Sequence, residues 1–191
     1  VANASNETTS SGIFMGQHYA KRVAVDQPLS IGVVGAGTAG AAAATLLAAA
    51  GHTVTVLERV ADPQPIGAGI TLQPTGQVAL ARIGALDAVH AAGARIDQLV
   101  CARRGGKYLV HLPYSVIDPR LYGLGIHRGV LFQTLFTAAR AAGATIECGV
   151  AVVKSELTAN GRALVDDRGR RHGPFDLVIA ADGSVSELHS D

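Results

Sequence analysis

Between Gln27 and Leu57 the chain carries no Asp, Glu, Lys or Arg, and the spacing of its apolar positions changes partway through. Residues 29–34 form a short apolar, β-branched run, the pattern of a strand buried on both faces of a parallel sheet. The alanines of 41–50 favour helix over residues 38–50, and their small side chains let such a helix lie close on a sheet. Gly51 supplies a left-handed stop, and residues 53–57 read as a second strand. The unit from Leu29 to Glu58 matches the size of one strand–helix–strand crossover, about 30 residues. An uncharged stretch this long also qualifies on length as a membrane span. Gly32, Gly35, Gly37, Gly40 and Gly51 make it weakly lipophilic, and its pattern passes from strand to helix, so no integral span is expected.

Later segments follow the same two periodicities. Helices are expected over 74–83 and 86–92, separated by Gly84 and closed by Gly93. Residues 96–102 and 108–112 alternate like strands around Arg103-Arg104-Gly105-Gly106, which predicts a hairpin. A helix over 130–142 ends at Gly143 and places Leu131, Leu135 and Ala138 on one face. Strands follow over 145–157, 163–166 and 175–181, with turns at Asn160-Gly161 and Arg168-Gly169. Residues 1–28 are polar, lack the pattern of a signal peptide and read as a flexible leader. The folded domain is expected over 29–191.

Composition narrows the partners. Hydrophobic residues make up 48% of the 191 positions, enough for a core, and a net charge of +1 gives no field suited to nucleic acid or a membrane surface. Aromatic residues are 4%, with no Trp, so a base-stacking surface is not expected. Cys101 and Cys148 are too few for a disulfide framework, which points to a reducing, cytoplasmic setting with both thiols buried as small hydrophobes. The seven histidines show no paired helical spacing, so no metal site is expected. Ser184 and Ser186 lack the setting of a nucleophile elbow. The run Asp166-Asp167-Arg168-Gly169-Arg170-Arg171 reads as a solvated turn, and so does the basic cluster Arg103, Arg104 and Lys107.

The chemistry concentrates in Gly35-Ala36-Gly37-Thr38-Ala39-Gly40, between the first strand and its helix. In such a hexad the first glycine makes the tight turn, the second lets backbone approach a pyrophosphate, and the third lets helix and strand pack closely. Amides at the helix N-terminus, those of Thr38 and Ala39 among them, attract phosphate. Glu58 ends the second strand, close to the expected spacing of about 20 residues for an acid that accepts hydrogen bonds from a ribose. An acid there favours a free ribose diol, hence NAD or FAD over NADP. Spacing alone does not choose between them. An NAD-linked dehydrogenase would share these features, and so would a non-catalytic flavoprotein-like escort or binding module.

Four ordered motifs carry a resemblance. They are Glu58-Arg59, the segment from Gly67 to Pro74 (GAGITLQP), the segment from Ile126 to Leu131 (IHRGVL), and the segment from Asp176 to Gly183 (DLVIAADG). Together they resemble the FAD-dependent aromatic hydroxylases, flavin monooxygenases of the para-hydroxybenzoate hydroxylase type, over residues 29–190. The resemblance implies a Rossmann-like α/β FAD-binding domain with a mainly parallel sheet and an added antiparallel hairpin region. It further implies an enzyme in which NADH or NADPH reduces FAD and O2 is then used to hydroxylate a small aromatic substrate.

By that resemblance Gly35, Gly37 and Gly40 line the pyrophosphate site, Glu58 holds the adenosine ribose and Arg59 lies beside the adenine. Arg128 lies near the ribityl and phosphate portion, and Gln73 near the isoalloxazine end or the substrate cavity. Asp182 and Gly183 match a motif serving both FAD and the reduced nicotinamide. Family members commonly place Arg where this chain has His189, a departure that touches the nicotinamide side. They also run to about twice this length, so the chain resembles an amino-terminal half, incomplete at its C-terminus and expected to be inactive alone.

Overall fold

The computed structural model describes residues 26–64, 67–184, 186 and 188; the expected leader lies almost wholly outside them. The chain opens with β1 (Ser30–Val34), α1 (Thr38–Ala49) and β2 (Thr53–Glu58). It continues through β3 (Gly69–Leu72), α2 (Pro74–Arg82), α3 (Leu86–Ala92), β4 (Ala94–Ile96), β5 (Gln98–Ala102) and β6 (Tyr108–Pro113). A 3-10 turn (Tyr114–Val116) leads to β7 (Gly123–His127), α4 (Arg128–Ala141) and β8 (Thr145–Cys148). The last strands are β9 (Val152–Thr158), β10 (Gly161–Asp166), β11 (Arg171–Phe175) and β12 (Leu177–Ala180).

A parallel sheet of order β12-β1-β2-β8 forms the centre, and three antiparallel sheets, β11-β10-β9, β3-β7-β4 and β5-β6, surround it. Strand β1 is central because after Ser30 it carries no polar side chain: Ile31 and Val33 are fully buried, as a strand covered on both faces requires. Ala44 of α1 and Ala139 of α4 are also fully buried and share one core with Ile31, Val33, Val54 and Val56. Ala41 joins a second core with Leu80, Val89, Ile126, Leu131 and Leu135. That core ties the start of α1 to the β7–α4 junction. Among the described residues no helix is long and apolar enough to cross a membrane.

The crossover, the helices of 74–92 and the β5–β6 hairpin form where the apolar spacing predicts them. Three expected strands divide instead. Residues 96–102 divide at Asp97: Ile96 closes β4 opposite Gly123, and Gln98 opens β5 in another sheet. Residues 145–157 break at Gly149, whose φ of +76° ends β8, and the two parts join different sheets. Residues 175–181 divide at Asp176, whose carboxylate accepts from the Ser30 amide at 2.7 Å and whose own amide donates to the Ser30 carbonyl at 2.8 Å. Phe175 thus closes β11 and Leu177 opens β12. Strands β3, β4, β7 and β11 have no counterpart in the sequence pattern; they are short, three of them contain glycine, and only pairing defines them.

Helix α4 begins at Arg128, before residue 130, because His127 caps it: the Nδ1 atom accepts from the Gly129 amide at 3.1 Å. Its core-facing row is Leu131, Leu135 and Ala139 rather than Ala138, as i, i+4 spacing demands. The cysteines depart from expectation as well. Cys101 is exposed and Cys148 partly so, since β5 and β6 pair only with each other and leave Cys101 uncovered. The 166–171 segment does form a hairpin turn, yet Asp166 itself is buried at 4% exposure.

A candidate cofactor-binding site

Val34 hands the chain to Gly35, whose φ of +94° is the left-handed conformation that L side chains resist. A Cβ there would stand 2.7 Å from the Ala181 carbonyl oxygen and 3.0 Å from the Asp182 Cα. The turn is therefore pressed against the segment leaving β12. The Gly35 amide donates to the Leu57 carbonyl at 2.8 Å, which fixes the turn to the end of β2. A Cβ on Gly40 would fall 1.9 Å from the Gly35 carbonyl oxygen, so helix and turn touch backbone to backbone.

Gly37 behaves differently. Its backbone is one that any residue adopts (φ −64°, ψ −176°), and a Cβ there would meet nothing within 4 Å. As N-cap of α1 it offers no side-chain cap, and no acidic residue occupies the first turn. Thr38 and Ala39 are exposed. The amides of a helix's first turn have no partner within the helix and carry a partial positive charge. Here they open onto free space, a cradle suited to an anionic group.

Glu58 faces that cradle from the end of β2. Its Oε2 accepts from the Ala36 amide at 2.7 Å and its Oε1 from the Val60 amide at 2.9 Å. A carboxylate has about four acceptor positions, so the two amides orient Glu58 and leave capacity for sugar hydroxyls. Arg59 is exposed beside it and makes no hydrogen bond among the described residues. Across the β2–β8 pairing the register partner of Glu58 is Cys148. Burial pushes the Cys148 thiol up from its ordinary pKa, and the negative charges of Glu58 and Asp62 add to that, with Arg140 opposing. The thiol is thus held protonated, as a packing group.

Strand β12 brings the last motif alongside. The Ala181 amide donates to the Val34 carbonyl at 2.8 Å, and Asp182 follows, half-buried against the Gly35 turn. Gly183, at φ +96°, turns the chain away. His189 lies outside the described residues.

A second group forms where β3 meets β7. Gly69 pairs with His127 and Thr71 with Gly125, and the Arg128 amide donates to the Ala68 carbonyl at 3.1 Å. A Cβ on Gly67 would meet the Arg128 stem at 3.0 Å, so glycine there lets the arginine lie flat on the loop. The Arg128 guanidinium is exposed and has no hydrogen bond or ion pair among the described residues. Nearby a depression of about 580 Å³ is lined by Gly69, Thr71, Ala94, Gly125 and His127 among others. Gln73 sits one step past β3, where its Oε1 accepts from the Tyr114 hydroxyl at 2.8 Å.

The fold therefore gathers Gly35 to Gly40, Glu58 and Asp182 at the carboxyl edge of β1, and sets Arg128 beside the Gly67–Gly69 loop. Gln73 stands apart from both, at the far end of β3. Tyr114 and the capping role of His127 are functional features that the sequence pattern does not single out. The cap had a local signal, a histidine directly before an apolar helical run. Tyr114 had none, because its partner lies far away in sequence. Among the described residues no group of three or more His, Cys, Asp or Glu comes together to hold a metal ion.

The chain matches the family described as FAD binding domain over residues 29–190. It is 37% identical over 182 residues to 6-hydroxynicotinate 3-monooxygenase of Pseudomonas fluorescens, a match that takes in 87% of this chain and 44% of that protein. It is 31% identical over 170 residues to kynurenine 3-monooxygenase of Stenotrophomonas maltophilia, covering 84% of this chain and 37% of the relative. Among solved structures, 2-methyl-3-hydroxypyridine-5-carboxylic acid oxygenase superposes with a TM-score of 0.74 at 26% identity, over 86% of this chain and 42% of that one. The chain thus spans less than half the length of the relatives it matches.

Proposed function

The chain belongs to the family of FAD binding domains found in FAD-dependent aromatic monooxygenases, and on that premise we propose that the complete protein uses NADH or NADPH and O2 to hydroxylate a small aromatic compound in the cytoplasm. The observation that carries this reading is the open cradle at Gly37, flanked by Glu58 and Asp182. A site for a linked pair of phosphates and a ribose needs bare amides, room for backbone approach and an acceptor for hydroxyls. All three meet at the end of β1. The residues present fit FAD.

In this reading the amides of Gly37, Thr38 and Ala39 hold the pyrophosphate, with Gly35 and Gly40 setting the turn that presents them. Glu58 accepts from the ribose hydroxyls, and Arg59 covers the adenine. Arg128, whose fork of donors suits an oxyanion or a sugar hydroxyl, reaches the ribityl and phosphate portion. Asp182 and Gly183 close the site from β12 on the side where the nicotinamide donor approaches. Gln73 borders the space for the ring and substrate. When bound, FAD supplies the redox chemistry with the nicotinamide donor and O2. These residues bind, orient and exclude water; no acid, base or nucleophile is assigned among them.

The names of the relatives, which act on nicotinate- and kynurenine-type aromatics, support the substrate class. The test is direct. Purified complete protein should show the visible band of oxidised flavin and oxidise NADH or NADPH with O2, faster when a phenol or aromatic acid is added. Protein that holds FAD but shows no such stimulation across phenols and aromatic acids overturns the hydroxylase reading.

A further inference from the structure

Strand β3 alternates exposed and half-buried positions, and Gln73, with an extended backbone (φ −73°, ψ 160°), continues its exposed row after Gly69 and Thr71. Register puts Gly69 opposite His127 and Thr71 opposite Gly125, so these four residues share one face of the β3-β7-β4 sheet. Gly123 is on that face too, and Tyr114 stands over it: a Cβ on Gly123 would come within 2.8 Å of the Tyr114 hydroxyl oxygen. The face is therefore a shallow trough with bare backbone at Gly69, while the Ile96 side chain of β4 walls it at Gly125, its Cδ1 standing 3.2 Å from where a Cβ would be. Gln73 and Tyr114 close one end, and His127 stands at the other.

Resting on the flavin-dependent reading above, we infer that Tyr114 is a positioning residue that holds the Gln73 carboxamide with its N–H donors toward this trough, so that the site prefers an aromatic ligand carrying a carboxylate over one carrying an alkyl group at the same ring position. Tyr114 is 2% exposed, and its hydroxyl donates to Gln73 Oε1 at 2.8 Å. A carboxamide turned over would present its nitrogen to the phenol, and the buried phenol proton would lose its acceptor, since the Tyr114 hydroxyl has no other partner among the described residues. The ring is anchored as well. The Tyr114 amide donates to the Asp97 carbonyl at 3.0 Å, and its carbonyl accepts from the Ile117 amide at 3.0 Å and the Asp118 amide at 3.3 Å. With Oε1 committed, Gln73 Nε2 is the group left to meet a ligand. Donors fixed in this way favour an oxygen acceptor over an alkyl group, which would strip their water and return nothing.

The complete, FAD-loaded protein tests this with matched probes, 4-hydroxybenzoate against 4-methylphenol and nicotinate against 3-methylpyridine, titrated while the flavin spectrum is followed. The acid of at least one pair should bind more tightly than its methyl counterpart. Tyr114→Phe, which keeps the ring, should weaken the acid about 5- to 10-fold, the effect of one lost hydrogen bond to a charged group. It should leave the methyl compound and the FAD content unchanged. Gln73→Glu, which replaces donors by a negative charge, should reverse the preference. Equal binding of acid and methyl compound, binding of neither in both pairs, or an unchanged ratio in Tyr114→Phe would each overturn the inference. A wild-type protein that holds no FAD fails at the earlier step, the proposed function itself.

Discussion

Gly37, the N-cap of α1, and Gly40, in its first turn, answer to different demands. Gly40 is required by the fold, because its Cβ would collide with the Gly35 carbonyl oxygen at 1.9 Å. Gly40→Ala should lower the stability of the flavin-free protein by about 1–3 kcal/mol, the usual range for forcing atoms into a packed contact, read as a drop in Tm. Gly37→Val should lower that Tm only by the effect of a poorer N-cap, up to about 1 kcal/mol, because nothing lies within 4 Å of its Cβ, and should abolish FAD retention by filling the cradle. Equal flavin affinity in Gly37→Val would remove the pyrophosphate from this turn. Glu58 combines both demands, holding the Ala36 amide at 2.7 Å while presenting its remaining acceptor positions outward. Glu58→Ala should weaken FAD binding by roughly 1–3 kcal/mol, the range for hydrogen bonds to a charged group. Unchanged affinity in a flavin titration would exclude Glu58 from the site.

At the scale of elements, the β10–β11 hairpin is fastened by one carboxylate. Asp166 Oδ1 accepts from the amides of Arg168 at 3.1 Å and Arg170 at 2.8 Å, while Oδ2 meets His172 Nε2 at 3.1 Å. Burial alone would raise its pKa. The hydrogen bond from His172, then those from the Arg170 and Arg168 amides, outweigh burial and hold it at about 2 against an ordinary 3.8. A carboxylate whose folded pKa lies below its unfolded value stabilises the fold fully above the unfolded value and loses that contribution as pH falls through the folded one. The Tm of the wild-type protein should therefore exceed that of Asp166→Asn at neutral pH, with the gap closing between about pH 4 and pH 2. A gap that stays constant down to pH 2 would mean that the charge of Asp166 does not fasten the hairpin.

For the molecule as a whole, the unusual surface is the β5–β6 hairpin, where Val100, Tyr108, Leu109, Val110 and Leu112 are all exposed. An apolar, solvent-facing two-stranded sheet of this kind invites association. The 191-residue chain should accordingly bind a hydrophobic dye, and Leu109→Lys with Val110→Thr should reduce that signal while shifting stability by no more than about 0.5 kcal/mol. Undiminished dye binding would place the sticky surface elsewhere. This hairpin also shows how far local pattern reaches. Its strands and turn were legible from alternation around Arg103 to Gly106, but the exposure of Cys101 was not, because residue type says nothing about whether a second layer covers a face. The crossover from β1 to β2, the glycine turn and the position of Glu58 were legible for the same reason as the hairpin: each depends on neighbours a few residues away. Sheet membership did not follow from spacing, since the break at Gly149 and the pin from Asp176 to Ser30 send adjoining residues into different sheets. Nor did the seating of Gly35 against Ala181 and Asp182, or the hold of Tyr114 on Gln73. The sequence alone thus determined the local elements and the chemistry each one carries, through backbone preference and hydrophobic period. Only the tertiary structure decided which of those groups face one another, because strand pairing and burial join residues whose separation along the chain leaves no periodic trace.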